Sequence, residues 1–194
     1  MASTPPPFIF VSDLSNHLGR DLSADMGAVM AVDAACDVIR DITEQDFNQA
    51  TTTEAFDGTG TDSIVLPQAP LLNVGTVVVN SGTITDYTFS KQTNALIRGT
   101  ADSRWPGAPL PVWPAGRQNV RVTYDHGYSV AGTVSDVPRS IKMVALMIAE
   151  RLVVQGVAQS ETVGDVTVDY GQAASDLTKT EQGLLYGYLR TRSF

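Results

Sequence analysis

The residue types best suited to chemistry lie in the segment Val-Thr-Tyr-Asp-His-Gly-Tyr-Ser, where Asp125 precedes His126, one of only two histidines. A histidine beside a carboxylate can act as a general base. Neighbouring residues of an extended chain point to opposite faces, however, so the pair predicts no dyad, and the sequence contains no Gly-x-Ser-x-Gly nucleophile motif. We interpret Asp125 and Gly127 as turn residues at a strand end. A small host hydrolase or ligand-binding module that uses His126 is the alternative.

The other candidate motifs also have structural interpretations. One cysteine, Cys36, and two histidines that are far apart in the chain predict no zinc site. Residues 57–62, Asp-Gly-Thr-Gly-Thr-Asp, resemble the start of a calcium loop, but they are also typical of a glycine-rich connection between strands. Trp105 and Trp113 offer either a stacking platform or a cover for the end of a sheet. We therefore predict no enzyme, no cofactor and no metal.

Composition limits the partners that the chain can have. The 194 residues carry a net charge of −8, and the first 62 hold 11 of the 21 acidic residues but only two arginines. Without a basic patch the protein is not expected to grip phosphates, although DNA can pass nearby without specific binding. We find no signal peptide or membrane segment in the sequence, so we predict no membrane partner. The single cysteine fits a reducing compartment.

Hydrophobic periodicity predicts an α+β fold: a helical bundle made of N-terminal, central and C-terminal helices, with an inserted antiparallel β subdomain at about 51–125. Residues 1–11 are predicted to be a flexible leader, and 12–194 a single domain. Ser12 and Ser23 are the candidate caps of the first two helices, and Gly19 ends the first. Thr178 and Glu181 form a capping box before the last helix.

Two helices have faces that suggest contacts. In the second helix, Met26, Val29, Cys36 and Ile39 recur at helical spacing, flanked by Met30, Val32 and Ile42. Four acids are expected on its other side, either as a solvated helix face or as a surface that borders DNA without binding it: Asp25, Asp33, Asp37 and Asp41. The helix at 138–155 is apolar nearly all round, with one apolar stripe that includes Ile141, Val144 and Ile148. Further apolar residues lie around the other side, so we predict that the helix is either central in a monomer or in contact with a second subunit there: Met143, Leu146, Met147 and Val154.

The order of these pieces resembles the head–tail adaptor (connector) family of tailed phages. The similarity begins with Asp-Leu-Ser-Asn-His-Leu-Gly and continues through Ser-Ile-Val-Leu-Pro, Trp-Pro-Ala-Gly and Val-Thr-Tyr-Asp-His-Gly-Tyr-Ser. It ends with the helix that starts at Val-Pro-Arg-Ser-Ile, the segment Ser-Glu-Thr-Val-Gly-Asp and the terminal Leu-Thr-Lys-Thr-Glu. It covers nearly the whole chain from about residue 11, and its specificity lies in the order and spacing of the pieces.

The resemblance implies a structural virion protein without catalytic residues. Such a protein forms a homo-oligomeric ring, expected here to be a dodecamer, beneath the portal protein of the capsid. The ring extends the DNA channel, which the acidic residues of the second helix would line, and it joins a stopper or tail-completion protein. Its location is the virion neck, after assembly in the cytoplasm of the bacterial host. Another neck component, a stopper or a tail-completion protein, is the alternative.

The resemblance also assigns a role to the C-terminal segment, which commonly docks on the portal in this family. The matching residues here combine aromatic, apolar and arginine side chains: Tyr186, Tyr188, Leu189, Arg190, Arg192 and Phe194. Aromatic and arginine side chains are enriched at interface hot spots. The alternative is a terminal helix that folds back on the core of its own chain, with a frayed tail.

Overall fold

The computed structural model describes residues 5–100, 111–154, 160–163, 166–169 and 177–189. The fold is mixed, with four α-helices and antiparallel sheets. The chain divides into two compact units. The helical unit comprises Met1–Asn48 and Ser129–Leu189, and the β unit comprises Gln49–Tyr128.

The helical unit contains four helices and two short hairpins. The helices are α1 (Val11–Leu18), α2 (Met26–Thr43), α3 (Arg139–Val154) and α4 (Lys179–Leu185), followed by a 3₁₀ turn, Tyr186–Tyr188. The hairpins are β8 (Val130–Ala131) with β9 (Val134–Ser135), and β10 (Ser160–Val163) with β11 (Val166–Asp169). Helix α3 contacts α1, α2 and α4, so it is the central element of this unit.

The helix ends differ in part from the sequence prediction. Gly19 ends α1 in the left-handed conformation, as predicted, with φ of 66°. Ser12 is not the cap, because the carboxylate of Asp13 accepts a hydrogen bond from Phe10 N at 2.9 Å and so satisfies a backbone donor just before α1. Ser23 is not the cap of α2 either. Asp25 takes that place and accepts from Gly27 N at 2.9 Å.

The buried face of α2 agrees with the predicted one at Val32, Cys36 and Ile39 and differs from it elsewhere. Met26 and Met30 are 71% and 68% exposed, and Val29 and Ile42 are exposed as well. The face that packs inward is built mostly from smaller residues at helical spacing: Ala28, Ala31, Val32, Ala35, Cys36 and Ile39. Small side chains let a neighbouring helix approach closely, and α2 packs against α3. The acids therefore share the outer face with Met26 and Met30, rather than lying opposite them.

The segment before α1 contributes to the core. Phe8 and Ile9, which fall within the predicted flexible leader, are fully buried. The Phe8 ring packs edge-on against Phe47 at 5.7 Å between centroids. The carbonyl of Pro6 accepts a hydrogen bond from Asn48 Nδ2 at 2.7 Å. These contacts fix residues 6–9 against the end of α2 and the chain that follows it.

In the residues that the structure describes, the β unit consists of two antiparallel sheets. The first sheet has the order β1-β7-β3-β4 and the second β2-β6-β5. The strands are β1 (Ala50–Gly58), β2 (Ser63–Val65), β3 (Leu71–Val79), β4 (Gly82–Ile84), β5 (Tyr87–Ser90), β6 (Ala95–Arg98) and β7 (Gly116–His126). The core draws on both sheets and includes Leu71, Val77, Leu96, Val120, Val122 and Tyr124.

Candidate functional site

The side chains of Asp125 and His126 do not form a dyad. The register of β7 puts the two side chains on opposite faces, as predicted, but Asp125 lies within the strand and not in a turn. His126 is 1% exposed, and its Nε2 lies 2.9 Å from the Thr52 hydroxyl. The Asp125 carboxylate accepts from the Thr51 hydroxyl at 2.6 Å on the other face. The imidazole is therefore a buried polar group of the sheet, and it does not lie in an open pocket.

The remaining motifs of the β unit are structural too. The Asp57 carboxylate accepts from Gln118 N at 2.6 Å, so it joins the 57–62 connection to β7. Trp113 is fully buried in the core, with the Arg98 guanidinium 5.6 Å from its ring centroid, whereas Trp105 lies outside the described residues. Among the residues that the structure describes, no group of three or more His, Cys, Asp or Glu could hold a metal ion.

Since the chemical motifs are structural, the exposed apolar and charged surfaces of the helical unit are the candidate site. The first surface lies at the end of α4 and in the turn after it. Leu184, Tyr186 and Leu189 are 40%, 78% and 42% exposed, and we call them the C-terminal patch. Tyr188 differs from its neighbours, because its hydroxyl lies 3.2 Å from Ser140 Oγ and its carbonyl accepts from Gln45 Nε2. Arg190, Arg192 and Phe194 lie outside the described residues.

A buried ion pair holds α4 in place. The capping box is confirmed: Thr178 N donates to the Glu181 carboxylate at 2.7 Å, and Glu181 N donates to the Thr178 hydroxyl at 3.3 Å. Glu181 is fully buried and also accepts two hydrogen bonds from the Arg151 guanidinium, at 2.6 and 3.2 Å. Burial raises the pKa of the Glu181 carboxyl, but the bonds from Arg151 and Thr178 outweigh this effect and lower it. The capping box was predicted from the sequence, but no sequence pattern indicated Arg151, which lies 30 residues away.

The second surface is the outer side of α3. The main stripe of α3 is buried as predicted at Ile141, Val144, Ala145, Ile148 and Ala149, whereas Leu152 and Val153 at its end are half-buried. On the other side, Met143 and Val154 are exposed, whereas Leu146 and Met147 are half-buried. The four predicted subunit-interface residues therefore do not form a continuous exposed strip.

The acids of α2 divide into two groups. Asp25 is the cap, and Asp37 accepts from Arg40 Nη1 at 2.9 Å. Asp33 and Asp41 are exposed. Arg40 itself is 10% exposed, contacts Asp46 at 3.6 Å and lies 5.4 Å from the Phe8 ring centroid. Sequence patterns did not indicate these contacts of Arg40, because Phe8 and Asp46 lie in segments outside α2.

Within the described residues no helix is long and apolar enough to cross a membrane.

Comparisons with known proteins give one kind of match. No family model and no curated protein matches the chain. Among solved structures it is similar to a chain from the neck of a native GTA particle computed with C12 symmetry, at 16% identity and a TM-score of 0.58, covering 100% of this chain and 95% of that one. A chain from the neck of an empty GTA particle computed with C6 symmetry gives 16% identity and 0.56, with the same coverage. A chain of the virion of the native gene transfer agent particle also gives 16% and 0.56, covering 96% and 92%. The protein shares its fold with these chains over nearly their full length.

Proposed function

We propose that this protein is a structural, non-enzymatic component of the neck of a tailed-phage-like particle. Its role is that of a head–tail adaptor, a ring beneath the portal that extends the DNA channel and joins the capsid to the tail. The observation that carries the proposal is the shared fold with neck chains over the whole length of this chain. It agrees with the resemblance of the sequence to the head–tail adaptor family in the order and spacing of its segments. The proposal includes the finer description of the fold, a helical bundle with an inserted β subdomain.

The proposed quaternary structure is a closed homo-oligomeric ring in the virion neck. The similar chains come from particles computed with C12 and C6 symmetry, which supports twelve copies as the first expectation. Closed cyclic assemblies use the same heterologous contact at every joint. Assembly of the ring in the bacterial cytoplasm, before it joins the virion, completes the proposal.

The C-terminal patch is the proposed portal contact. Leu184, Tyr186 and Leu189 are exposed, and the Arg151–Glu181 pair and Tyr188 fix the segment that carries them. Interfaces gain most of their affinity from a few apolar or aromatic anchors that are held rigidly. Tyr188 acts in this proposal as a positioning residue, and Arg190, Arg192 and Phe194 extend the contact.

The acidic surplus of the first 62 residues is the proposed DNA-facing feature. An acidic wall repels the phosphate backbone, so DNA slides along it without specific binding. Asp41 and Asp33 are exposed and can contribute directly, whereas Asp25 and Asp37 have local partners within α2. A location of these acids on the outer rim of the assembled ring would contradict this role.

A binding experiment with isolated portal rings tests the function. Electron microscopy of the mixture is expected to show one added layer of density beneath the portal. The triple variant Leu184→Ser, Tyr186→Ser, Leu189→Ser is expected to lose that layer. Val134→Ser is the matched control, because Val134 is 66% exposed in the helical unit but lies outside the patch. The absence of an added layer with the unmodified protein would refute the adaptor role.

A further inference from the structure

The outer face of α2 carries an apolar patch that the fold of one chain leaves uncovered in the described structure. Met26, Val29 and Met30 are 71%, 37% and 68% exposed, and they lie within about one turn of each other on one side of the helix. Asp33 continues the same face one turn further on and is also exposed. Exposed methionines of this kind are common at binding surfaces, because the side chain adapts its shape to a partner.

The first half of α3 carries a face of complementary character. Arg139 and Met143 are exposed one turn apart, while Lys142 and Leu146 beside them are half-buried. Arg139 is the first residue of α3, where the helix dipole disfavours a positive charge, so its location is not explained by helix stability. The acid further along this face, Glu150, is already bonded to His17 at 3.0 Å. Asp136, three residues before Arg139, is exposed as well.

The order of residue types along the two helices matches in an antiparallel alignment. On α2 the order is apolar, then acidic, from Met26 to Asp33. On α3 it is basic, then apolar, from Arg139 to Leu146. Both stretches contain eight residues, so their ends are seven residues apart, about 10.5 Å along the helix. When Met26 is set opposite Leu146, Asp33 therefore comes opposite Arg139 and Val29 opposite Met143, and Met30 lies one residue from Met143 in this register.

The two faces cannot meet within one chain. Helices α2 and α3 pack together through their buried faces, which include Ala35 on α2 and Val144 on α3. The exposed face of each helix therefore points away from the other helix. A contact between these faces joins two copies, and since each copy exposes Met26 and Met30 on α2 as well as Arg139 and Met143 on α3, the contact repeats head to tail.

We propose that the exposed face of α2 in one copy docks antiparallel on the first half of α3 in the next copy. Met26 and Met30 pack on Met143 and Leu146, and Asp33 pairs with Arg139. This inference rests on the proposed ring and identifies its subunit joint. Asp33 then lies between copies, and the C-terminal half of α2, with Asp41, remains for the channel wall.

Engineered disulfides test the contact directly. The chain has one native cysteine, Cys36, which is fully buried, and burial raises the pKa of its thiol, so it does not react in the folded protein. The double variant Met30→Cys, Met143→Cys, oxidised in the presence of isolated portal rings, is expected to give a ladder of covalent oligomers on a denaturing gel. Ile42→Cys with Met143→Cys is the matched control, because Ile42 is 41% exposed on α2 but lies about 120° around the helix from Met30.

The outcomes separate this inference from the proposed function. A ladder from the first variant but not from the control supports the docking mode. Rings seen by electron microscopy without a ladder overturn the docking mode and leave the adaptor role intact. If neither rings nor a ladder form with portal present, both proposals are overturned.

Charge reversal gives a second, independent readout. Asp33→Lys or Arg139→Glu alone is expected to weaken association about tenfold or more, measured by the ladder yield of the cysteine variant against protein concentration. Combining the two reversals is expected to restore association to within about threefold of the unreversed protein. Asp41→Lys, on the same helix face but beyond the aligned stretch, is the control and leaves association unchanged. If the double reversal associates no more strongly than either single variant, the Asp33–Arg139 pairing is overturned. That result is expected if a different protein covers the exposed face of α2.

Discussion

Replacing Arg151 by methionine should destabilise the helical unit more than any conservative change at its partner. Arg151→Met keeps the apolar stem of the side chain but removes the guanidinium that donates to Glu181 at 2.6 and 3.2 Å. The Glu181 carboxylate is then left fully buried without this charged partner. Removing one partner of a buried ion pair typically costs about 3–5 kcal/mol. The lower end applies here, since Thr178 N still donates to the carboxylate, so we expect a loss of about 3 kcal/mol at neutral pH.

The matched variant is Glu181→Gln. It leaves a neutral side chain of the same shape in the buried position and leaves the charge on Arg151, whose side chain is 19% exposed and can reach water. The expected loss is therefore about 1–2 kcal/mol. The two variants remove the same ion pair, so the difference between them measures the cost of the buried, unpartnered carboxylate.

Urea unfolding followed by two signals measures both losses. Far-UV circular dichroism reports mainly on the helices, and fluorescence reports on the β unit, because both tryptophans fall within Gln49–Tyr128. The variants are expected to shift the dichroism transition, with the fluorescence transition as an internal reference. Equal losses from the two variants, or a loss below about 0.5 kcal/mol from Arg151→Met, would refute the reasoning.

The same pair predicts the pH dependence of stability. The Glu181 pKa lies below its ordinary value of 4.5, so the stability it contributes is complete above that value and is lost as the pH falls through the lowered pKa. In Arg151→Met the effect of burial is no longer balanced by Arg151, so the Glu181 pKa is expected to rise. Unfolding midpoints of the variant should then improve relative to the unmodified protein as the pH falls toward that raised pKa, because protonation removes the buried charge. A constant difference between the two proteins across this range would contradict the assignment.

Three further variants test other parts of the structure. His126→Ala should lower the stability of the β unit by about 1–3 kcal/mol in the fluorescence transition, because a buried ring is lost and Thr52 loses its 2.9 Å contact. The variant should leave portal binding unchanged. A loss of function without a loss of stability would support the catalytic alternative. Leu96→Ala should cost about 2–5 kcal/mol in the same signal, since Leu96 is fully buried, and an unchanged midpoint would contradict its place in the core. Thr178→Ala removes the cap of α4 and should cost about 1 kcal/mol in the dichroism transition, whereas Thr178→Ser should restore most of it.

Much of the local structure could be predicted because its causes are close together in the sequence. The capping box needs Thr178 and Glu181 three residues apart, and a single glycine at position 19 ends α1. The strands of the β unit follow from short β-branched runs between turn residues, and β7 places Asp125 and His126 on opposite faces because side chains alternate along a strand. The buried stripe of α3 follows from its large apolar residues at helical spacing.

The predicted face of α2 is confirmed at Val32, Cys36 and Ile39 but was wrong at its larger exposed residues, for a physical reason. Periodicity weighted by side-chain size favours Met26 and Met30 over Ala28 and Ala35, but close packing of two helices favours the small residues. The sequence contains both sets at helical spacing. Contact with α3 selects between them, and it leaves the methionines and Asp33 on the outside.

The sequence by itself therefore determined the elements, their order and the absence of a recognisable catalytic motif. The tertiary structure decided which helix faces are exposed to solvent and which buried charged side chains are paired with an opposite charge. The Arg151–Glu181 pair joins residues 30 positions apart, and Arg40 meets Pro6 and Phe8 more than thirty positions away. Neither contact leaves a periodic signal, because each depends on which segments pack together once the apolar surfaces are buried. The exposed surfaces proposed for portal and subunit contacts are defined by that same packing.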